Sequence, residues 1–476
     1  SGSVELKSAK GEISGFDTGT LSVINGTLKL DVGTNAIAEP FEGEIVLSQG
    51  VVLEKDGPGE FVVGPIGENL NEIHDIYLNN GSLRLVNQDA LSNYGSPYSG
   101  KIYFRGGGFT HGSATDFSSN FSNEANQQFK VTVLGPGATY NTALQSNGGS
   151  FELLGGDLTF AADNTYTGST TVTSGRLQVG NDSVSDPSGS LNSAAPLFVA
   201  SGAEVQLGIN VEVGSISGSG IIDLGHSPYD YVFTVGADNT NTTFSGELLG
   251  TGTVSKKGSG SLNLGLTTSS ESLDIVNAFQ IEDGTLVLSS PQAKDMRVDG
   301  SISKITSGPA VLQIETVSGS DLIIDASIVS SSGPLSVQAK SDGSIVLDDG
   351  ESIETQGGDI VLWSNTGNIQ SGSGESFIRL EAGSSLNSSG GNIVLAGGVD
   401  GNADGYPDGY AYAGSQVTPP EGSFVASPLQ PGLSLGSVRD QLGALISINS
   451  GGGNIVMRGR SGVENAEADG FGSQRA

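Results

Sequence analysis

Cysteine is absent from the 476 residues, tryptophan occurs once, methionine twice, and only 20 Lys and Arg stand against 52 Asp and Glu. Each shortage closes off a class of protein. Without cysteine there is no disulfide scaffold and no thiolate metal site. With a formal net charge of −32 and its few cations scattered, the chain has no basic stripe to track phosphates, so nucleic acid and anionic membrane are repelled. No apolar run approaches the roughly 18 residues of a membrane span. A helical bundle is excluded as well, because it needs Gly-free stretches of about ten or more Ala, Leu, Glu and Lys residues.

Glycine is what the chain has in excess: 74 residues, about twice the usual share. It does not fall at every third position, which excludes collagen. The hydrophobic residues, 36% of the total, recur in short ordered groups. The composition therefore reads as a long all-β chain with turns every few residues, and its lack of cysteine fits an extracellular β protein of bacterial type. Ser1-Gly2-Ser3 is no signal peptide, which suggests a removed signal and a fragment of a longer chain.

One phrase recurs through the first 290 residues or so: a turn, Gly, then apolar residues two apart. It appears as Asn25-Gly26-Thr27-Leu28-Lys29-Leu30, Asn80-Gly81-Ser82-Leu83-Arg84-Leu85, Ser174-Gly175-Arg176-Leu177-Gln178-Val179 and Asp283-Gly284-Thr285-Leu286-Val287-Leu288. Apolar side chains two apart share one face of a strand. A second phrase precedes it: Lys55-Asp56-Gly57-Pro58-Gly59-Glu60-Phe61 matches Lys257-Gly258-Ser259-Gly260-Ser261-Leu262. Beyond about residue 310 the phrase becomes Gly343-Ser344-Ile345-Val346-Leu347, Gly358-Asp359-Ile360-Val361-Leu362, Gly391-Asn392-Ile393-Val394-Leu395 and Gly453-Asn454-Ile455-Val456-Met457. Copies of one strand stack best on each other, so the expected fold is a right-handed parallel β-helix, a β-solenoid, with roughly 20 residues per coil. Stacked β-sandwiches are the alternative. The Leu, Val and Ile residues at the paired positions, from Leu28 and Leu30 to Ile393 and Leu395, are expected to point inward.

The stretch Gly156-Asp157-Leu158-Thr159-Phe160, then Asn164-Thr165-Tyr166-Thr167-Gly168-Ser169-Thr170-Thr171-Val172 and Gly175-Arg176-Leu177-Gln178-Val179-Gly180, closely resembles the strand repeat of bacterial autotransporter passengers. Thr243-Phe244-Ser245-Gly246 through Gly258-Ser259-Gly260-Ser261-Leu262 resembles it too. Gly390-Gly391-Asn392-Ile393-Val394-Leu395 and Gly452-Gly453-Asn454-Ile455-Val456-Met457 resemble the repeats of filamentous-haemagglutinin-type exoproteins. Two solenoid regions follow, 1–305 of the first type and 306–476 of the second, with a protruding loop at about 397–444. The resemblance implies export to the bacterial cell surface, roles in adhesion, biofilm or surface layers, and no catalytic residues within the repeats.

Candidate chemistry is sparse. Asp400, Asn402, Asp404, the Tyr406 carbonyl and Asp408 alternate as the oxygen ligands of a Ca²⁺ loop do, although Ala411 stands where an EF-hand has its bidentate Glu; a solvated Asp/Gly turn is the plainer reading. Gly432-Leu433-Ser434-Leu435-Gly436 has the letters of a nucleophile elbow without its strand-to-helix context. His74, His111 and His226 are far apart and read as turn or surface residues. Asp348-Asp349 and Glu351 to Glu354 are the nearest approach to the carboxylates of a polysaccharide-cleaving β-helix, but more simply form an exposed acidic corner. Trp363 follows the inward Leu362, so alternation turns it outward, where it can stack on a sugar or a neighbouring subunit. The loop at 397–444, with Tyr406, Tyr410, Tyr412, Phe424 and five prolines, and the Phe-rich segment 101–129 are the regions that leave the strand phrase; the second is equally readable as core filling. The expected function is a secreted, non-catalytic structural and adhesive solenoid with calcium as its one candidate ligand ion. Its partners would be copies of itself or a cell-surface or glycan partner. A self-assembling subunit of a fibre or surface layer is the alternative, and a carbohydrate-active enzyme on the same scaffold the second.

Overall fold

The structure, a computed structural model, describes residues 3–8, 20–23, 25–33, 44–47, 50–63, 75–86, 100–181, 188–225, 229–317, 319–367, 376–413, 433–435 and 445–461. Among them the only helix is one 3₁₀ turn, Ser118–Asn120. The rest is short strands and turns, in two compact units, Ser1–Gly225 and His226–Ala476.

In the first unit, Asp157–Phe160 pairs with Arg176–Val179, which pairs with Glu204–Leu207, which pairs with Ile221–Asp223, every pairing parallel and in register. A second sheet runs from Glu60–Val63 through Gln128–Val133 and Ser150–Gly155 to Ser215–Gly218, and a third from Ser3–Ser8 to Lys101–Phe104. The second unit is built alike: Ser261–Gly265, Gly284–Ser289, Ala310–Glu315, Leu335–Lys340, Ile360–Ser364, Ile393–Gly397 and Ile455–Met457 stack in chain order. Each strand thus bonds to its copy one coil away, which is the β-solenoid. In the first unit Leu158 and Leu177 are 19 residues apart and Phe129 and Phe151 are 22, close to the expected length; in the second the coils are longer, with 24, 26 and 25 residues separating Leu262, Leu286, Leu312 and Val337. Three strands per coil, each with its corner, need that length.

The expected inward residues Leu28, Leu30, Leu83, Leu85, Leu177, Val179, Leu286, Leu288, Ile345, Leu347, Ile360, Leu362, Ile393 and Leu395 are all fully buried. The glycine before the strand has a specific cause. Gly284 has φ +74°, and a Cβ there would lie 2.4 Å from the Gly260 carbonyl oxygen and 2.5 Å from that of Gly258. The corner of one coil sits directly on the corner of the previous one, and no side chain fits between them.

The corners also explain why the repeat phrase changes. In the earlier coils a lysine turns inward at the end of a strand. Lys55 Nζ donates to the carbonyls of Asp56, Gly57 and Asn80 at 2.8, 2.9 and 3.1 Å. Lys256 Nζ does the same to Lys257, Gly258 and Asp283 at 2.7, 2.7 and 3.2 Å, so Lys256, and not Lys257, is the counterpart of Lys55. Burial pulls both ammonium groups down to about 8, against neighbouring carboxylates that hold them up, Asp56 foremost for Lys55 and Asp283 for Lys256. Both therefore stay charged at neutral pH. Lys256, Ile281, Lys304 and Ser330 occupy one column. From Ser330 onward a hydroxyl closes the corner: Ser330, Thr355, Ser388 and Ser450 each donate to the carbonyl three residues on, Gly333, Gly358, Gly391 and Gly453. In this column the step from ammonium to hydroxyl lies between Lys304 and Ser330. The Asp or Asn that follows Gly in the later phrase forms a ladder of its own, with Asp359 Oδ1 accepting from Asn392 N–H at 2.7 Å and Asn392 Oδ1 from Asn454 N–H at 3.1 Å.

The segment 101–129 fills a core. Phe104, Phe109, Phe117, Phe121 and Phe129 are buried, with Phe104 edge-on to both Phe121 and Phe129. His111 lies inside this cluster, fully buried, its Nε2 2.7 Å from the Tyr140 hydroxyl. The surface position expected for His111 is therefore corrected. Burial lowers its pKa to about 4, only weakly opposed by Asp116 and the Thr115 backbone. Between about pH 6.5 and pH 4 the unfolded chain binds a proton that the folded chain refuses, so stability must fall as the pH drops through this window, by about 3 kcal/mol in total. Urea midpoints measured at pH 7, 5.5 and 4 check this. Relative to the native chain, His111→Gln should show a shallower decline of the midpoint, and equal slopes would remove His111 as the cause.

Candidate functional site

The outward faces of the strands carry the polar side chains. On the sheet of Asp157–Phe160, Arg176–Val179, Glu204–Leu207 and Ile221–Asp223, one outward column reads Asp157, Arg176, Glu204 and the next reads Thr159, Gln178, Gln206, Asp223. A chain of hydrogen bonds crosses four coils diagonally. Arg176 Nη2 reaches Asp157 Oδ2 at 3.3 Å, Arg176 Nη1 reaches Gln206 Oε1 at 3.3 Å, and Gln206 Nε2 reaches Asp223 Oδ2 at 3.3 Å. Glu204, half-buried beside this chain, receives no side-chain or backbone hydrogen bond among the described residues. Burial raises its carboxyl above the usual range; Arg176 pulls it back, and Asp223 and Asp157 add to the rise. Asp157, Glu204 and Asp223, on three of four successive coils with Arg176 on the remaining one, are what the sequence alone did not bring together, since Asp157 and Asp223 lie 66 positions apart and are connected only through the register.

The acidic corner singled out in the sequence has other duties. Arg297 is bonded to Asp299 at 2.8 Å and to Asp325, with Asp348 3.7 Å away, one carboxylate from each of three coils. Asp349 Oδ1 accepts from Ala382 N–H at 3.0 Å and Glu351 Oε2 from the Ser327 hydroxyl at 2.7 Å. These groups tie one coil to the next.

Trp363 does face outward, but it is only 9% exposed. With Val361, Val394 and Ala396 it forms an apolar patch on the outer face, against which Tyr406 and Val456 pack. Residues 398–413, one of the described parts of the expected protruding loop, fold back as a strap over this patch. Trp363 Nε1 donates to the Gly398 carbonyl at 2.6 Å, Gln338 Nε2 to the Gly405 carbonyl at 3.1 Å, Arg458 to the Pro407 carbonyl at 2.9 Å, and the Tyr406 hydroxyl to Asp359. Ala411–Ala413 then pairs with Gly459–Ser461. The stacking surface expected of Trp363 is thus occupied by the chain's own strap.

Asp400, Asn402, Asp404, Tyr406 and Asp408 share the tip of that strap. Asp400 Oδ1 and Oδ2 accept from Asp404 and Gly405 N–H at 3.1 and 2.8 Å, Asn402 Oδ1 from Asp404 N–H at 3.0 Å, and Asp408 Oδ2 from Gly401 N–H at 2.9 Å. Among the described residues no three Asp, Glu or His side chains stand together as a metal-ligand group. Leu433–Leu435 is a strand paired with Ile378–Leu380, not the turn into a helix that a nucleophile elbow requires. His74, His226, Phe424, Pro419, Pro420, Pro428 and Pro431 lie outside the described residues.

Residues 155–179 match the passenger-associated-transport-repeat. The match spans Asp157–Phe160, Thr170–Val172 and Arg176–Val179, so the repeat carries Asp157 and Arg176 outward and Leu158, Phe160, Leu177 and Val179 inward. No curated protein and no solved structure matches the chain. No helix among the described residues is long and apolar enough to cross a membrane.

Proposed function

We propose that the chain is a non-catalytic structural and adhesive β-solenoid displayed on the bacterial cell surface. The passenger-associated-transport-repeat at 155–179, set within a parallel solenoid, is the observation that carries this reading. The haemagglutinin-type resemblance of residues 306–476 and the net charge of −32 support the same location, since an acidic surface stays soluble and does not adhere to anionic lipid. The test is display of the chain on non-adherent cells, which should then bind to surfaces or to one another. Electron microscopy of the same material separates single rods from the continuous filaments that a self-assembling subunit would give.

A carbohydrate-active enzyme is the second reading, favoured by the carboxylates around Arg176, because a β-helix that cleaves polysaccharide needs such a cluster across coils. The expected outcome is no reducing-end or unsaturated-sugar release from polysaccharides. Turnover that vanishes in Glu204→Gln would overturn the non-catalytic reading.

Calcium at the strap tip is proposed alongside, held by Asp400, Asn402, Asp404, the Tyr406 carbonyl and Asp408. Binding would exchange the carboxylates' N–H partners for the ion, at an affinity of roughly 10⁻⁴ to 10⁻³ M, as in extracellular modules. Calorimetry is expected to show a higher melting temperature in calcium than in chelator, with Asp404→Ala abolishing the difference. Superimposable melting curves would leave the tip a solvated acidic turn.

A further inference from the structure

We propose that Asn80 is a site of spontaneous deamidation, its side-chain amide displaced by the Gly81 nitrogen under the pull of the Lys55 ammonium. Asn-Gly is the pair in which this reaction meets least resistance, because glycine has no side chain to hinder its own nitrogen. The sequence contains three such pairs, Asn25-Gly26, Asn80-Gly81 and Asn147-Gly148, and their corners differ. Asn80 is exposed, so water reaches it. The Gly81 nitrogen, at φ +63°, lies 2.8 Å from Oδ1 of the carboxamide it attacks. The carbonyl of the same peptide unit, that of Asn80, accepts from Lys55 Nζ at 3.1 Å.

These two contacts serve successive parts of the reaction. The Gly81 N–H loses its proton to solvent hydroxide, which leaves negative charge shared between the nitrogen and the Asn80 carbonyl oxygen. An ammonium aimed at that oxygen stabilises the charge where it develops. The nitrogen then bonds to Asn80 Cγ, the Cγ–Nδ2 bond breaks, and the amide leaves as ammonia with a proton taken from water. Water opens the cyclic imide at either carbonyl, to aspartate or isoaspartate, so one water is consumed for each ammonia released. The other two pairs are set differently. The Gly148 N–H is held by Thr167 Oγ1 at 2.6 Å, away from its own asparagine, and the Asn147 carbonyl accepts from a neutral donor, Asn126 N–H, at 2.9 Å. Among the described residues no ammonium is bonded to the Asn25 carbonyl. In the second unit the equivalent corner already carries the acid. Lys256 Nζ donates to the carbonyl of Asp283, which precedes Gly284 at φ +74°, so this kind of corner accepts a carboxylate there and keeps its lysine.

The test incubates the folded full chain near neutral pH, digests it and follows the peptides of the three asparagines by mass spectrometry, with urea-unfolded chain as the reference. In the folded chain Asn80 is expected to convert at least tenfold faster than Asn147 and severalfold faster than Asn25, and the three rates should converge in urea. Lys55→Met should slow Asn80 fivefold or more and leave Asn25 unchanged. A pH profile of the native chain reads the same contact without a substitution. Conversion of Asn25 should rise in step with hydroxide, whereas that of Asn80 should flatten above pH about 8, where Lys55 loses its proton. Asn80 converting no faster than Asn147 in the folded chain, or an Asn80 profile parallel to that of Asn25, overturns the proposal.

Discussion

Leu286→Asp is expected to destabilise the second unit by about 5 kcal/mol or more. Leu286 is fully buried, between Leu262 of the preceding coil and Leu312 of the following one. Truncating a buried leucine alone costs about 2–5 kcal/mol. The new carboxylate adds either the cost of an unpaired buried charge or that of taking up a proton at neutral pH. Position 286 offers it no relief, because its neighbours along the column are aliphatic. Val287 is the control, since it points outward between Asn263 and Gln313, where Val287→Asp should cost about 1 kcal/mol or less. Urea unfolding followed by circular dichroism reads both. Equal losses in the two variants would mean that the inward register is wrong.

That register was legible because a period of two is a local property. Leu286 and Leu288 announce their shared face within six residues of Asp283-Gly284-Thr285-Leu286-Val287-Leu288, and the stacking of identical phrases follows from their recurrence. Coil length was less legible. The phrases do not mark the same strand of every coil, since Ile345–Leu347 and Ile360–Ser364 stand in different sheets, and strands such as Leu322–Ile324 and Ile328–Ser330 are three residues long and leave too little alternation to count. The corner lysines were half-visible: Lys55 and Lys256 recur ahead of the same Gly-x-Gly, but a lysine reads as solvent-exposed until three carbonyls are seen around its ammonium.

The outward chemistry was the least legible, for a physical reason. Inward positions are constrained by burial and so repeat. Outward positions are free to vary, and Asp157, Arg176, Glu204 and Asp223 share no phrase. Their assembly depends on a register set by the inward residues alone. Asp348, Asp349, Glu351 and Glu354 stand out in the sequence because they are near one another along the chain, whereas Asp157, Glu204 and Asp223 come together only across coils. His111 was misplaced similarly: nothing next to it in sequence reveals that Tyr140, one coil on, supplies its partner.

Trp363 shows how far alternation reaches and where it stops, and it supports the last prediction. Alternation places it outward, as found, but the strap that covers it returns from beyond residue 397, a contact with no local sign. Trp363→Ala is expected to cost about 3–5 kcal/mol, because it opens a cavity among Val361, Val394, Ala396 and Tyr406 and leaves the Gly398 carbonyl without its indole donor. It also removes the ring near which the Lys340 ammonium rests, 5.1 Å from the centroid. The loss should be confined to the strap's docking, so hydrogen exchange at the amides of 398–410 should rise tenfold or more while that of the inner strand amides, Leu362 and Leu395, stays slow. Trp363→Phe keeps most of the apolar area and forfeits only the N–H, so it should cost about 1–2 kcal/mol. As the sole tryptophan, Trp363 reports on its own cover, and its emission in the native chain should be blue-shifted relative to the urea-unfolded chain. A native emission already at the solvent-exposed wavelength, together with unchanged exchange in Trp363→Ala, would mean that the strap does not rest on this face.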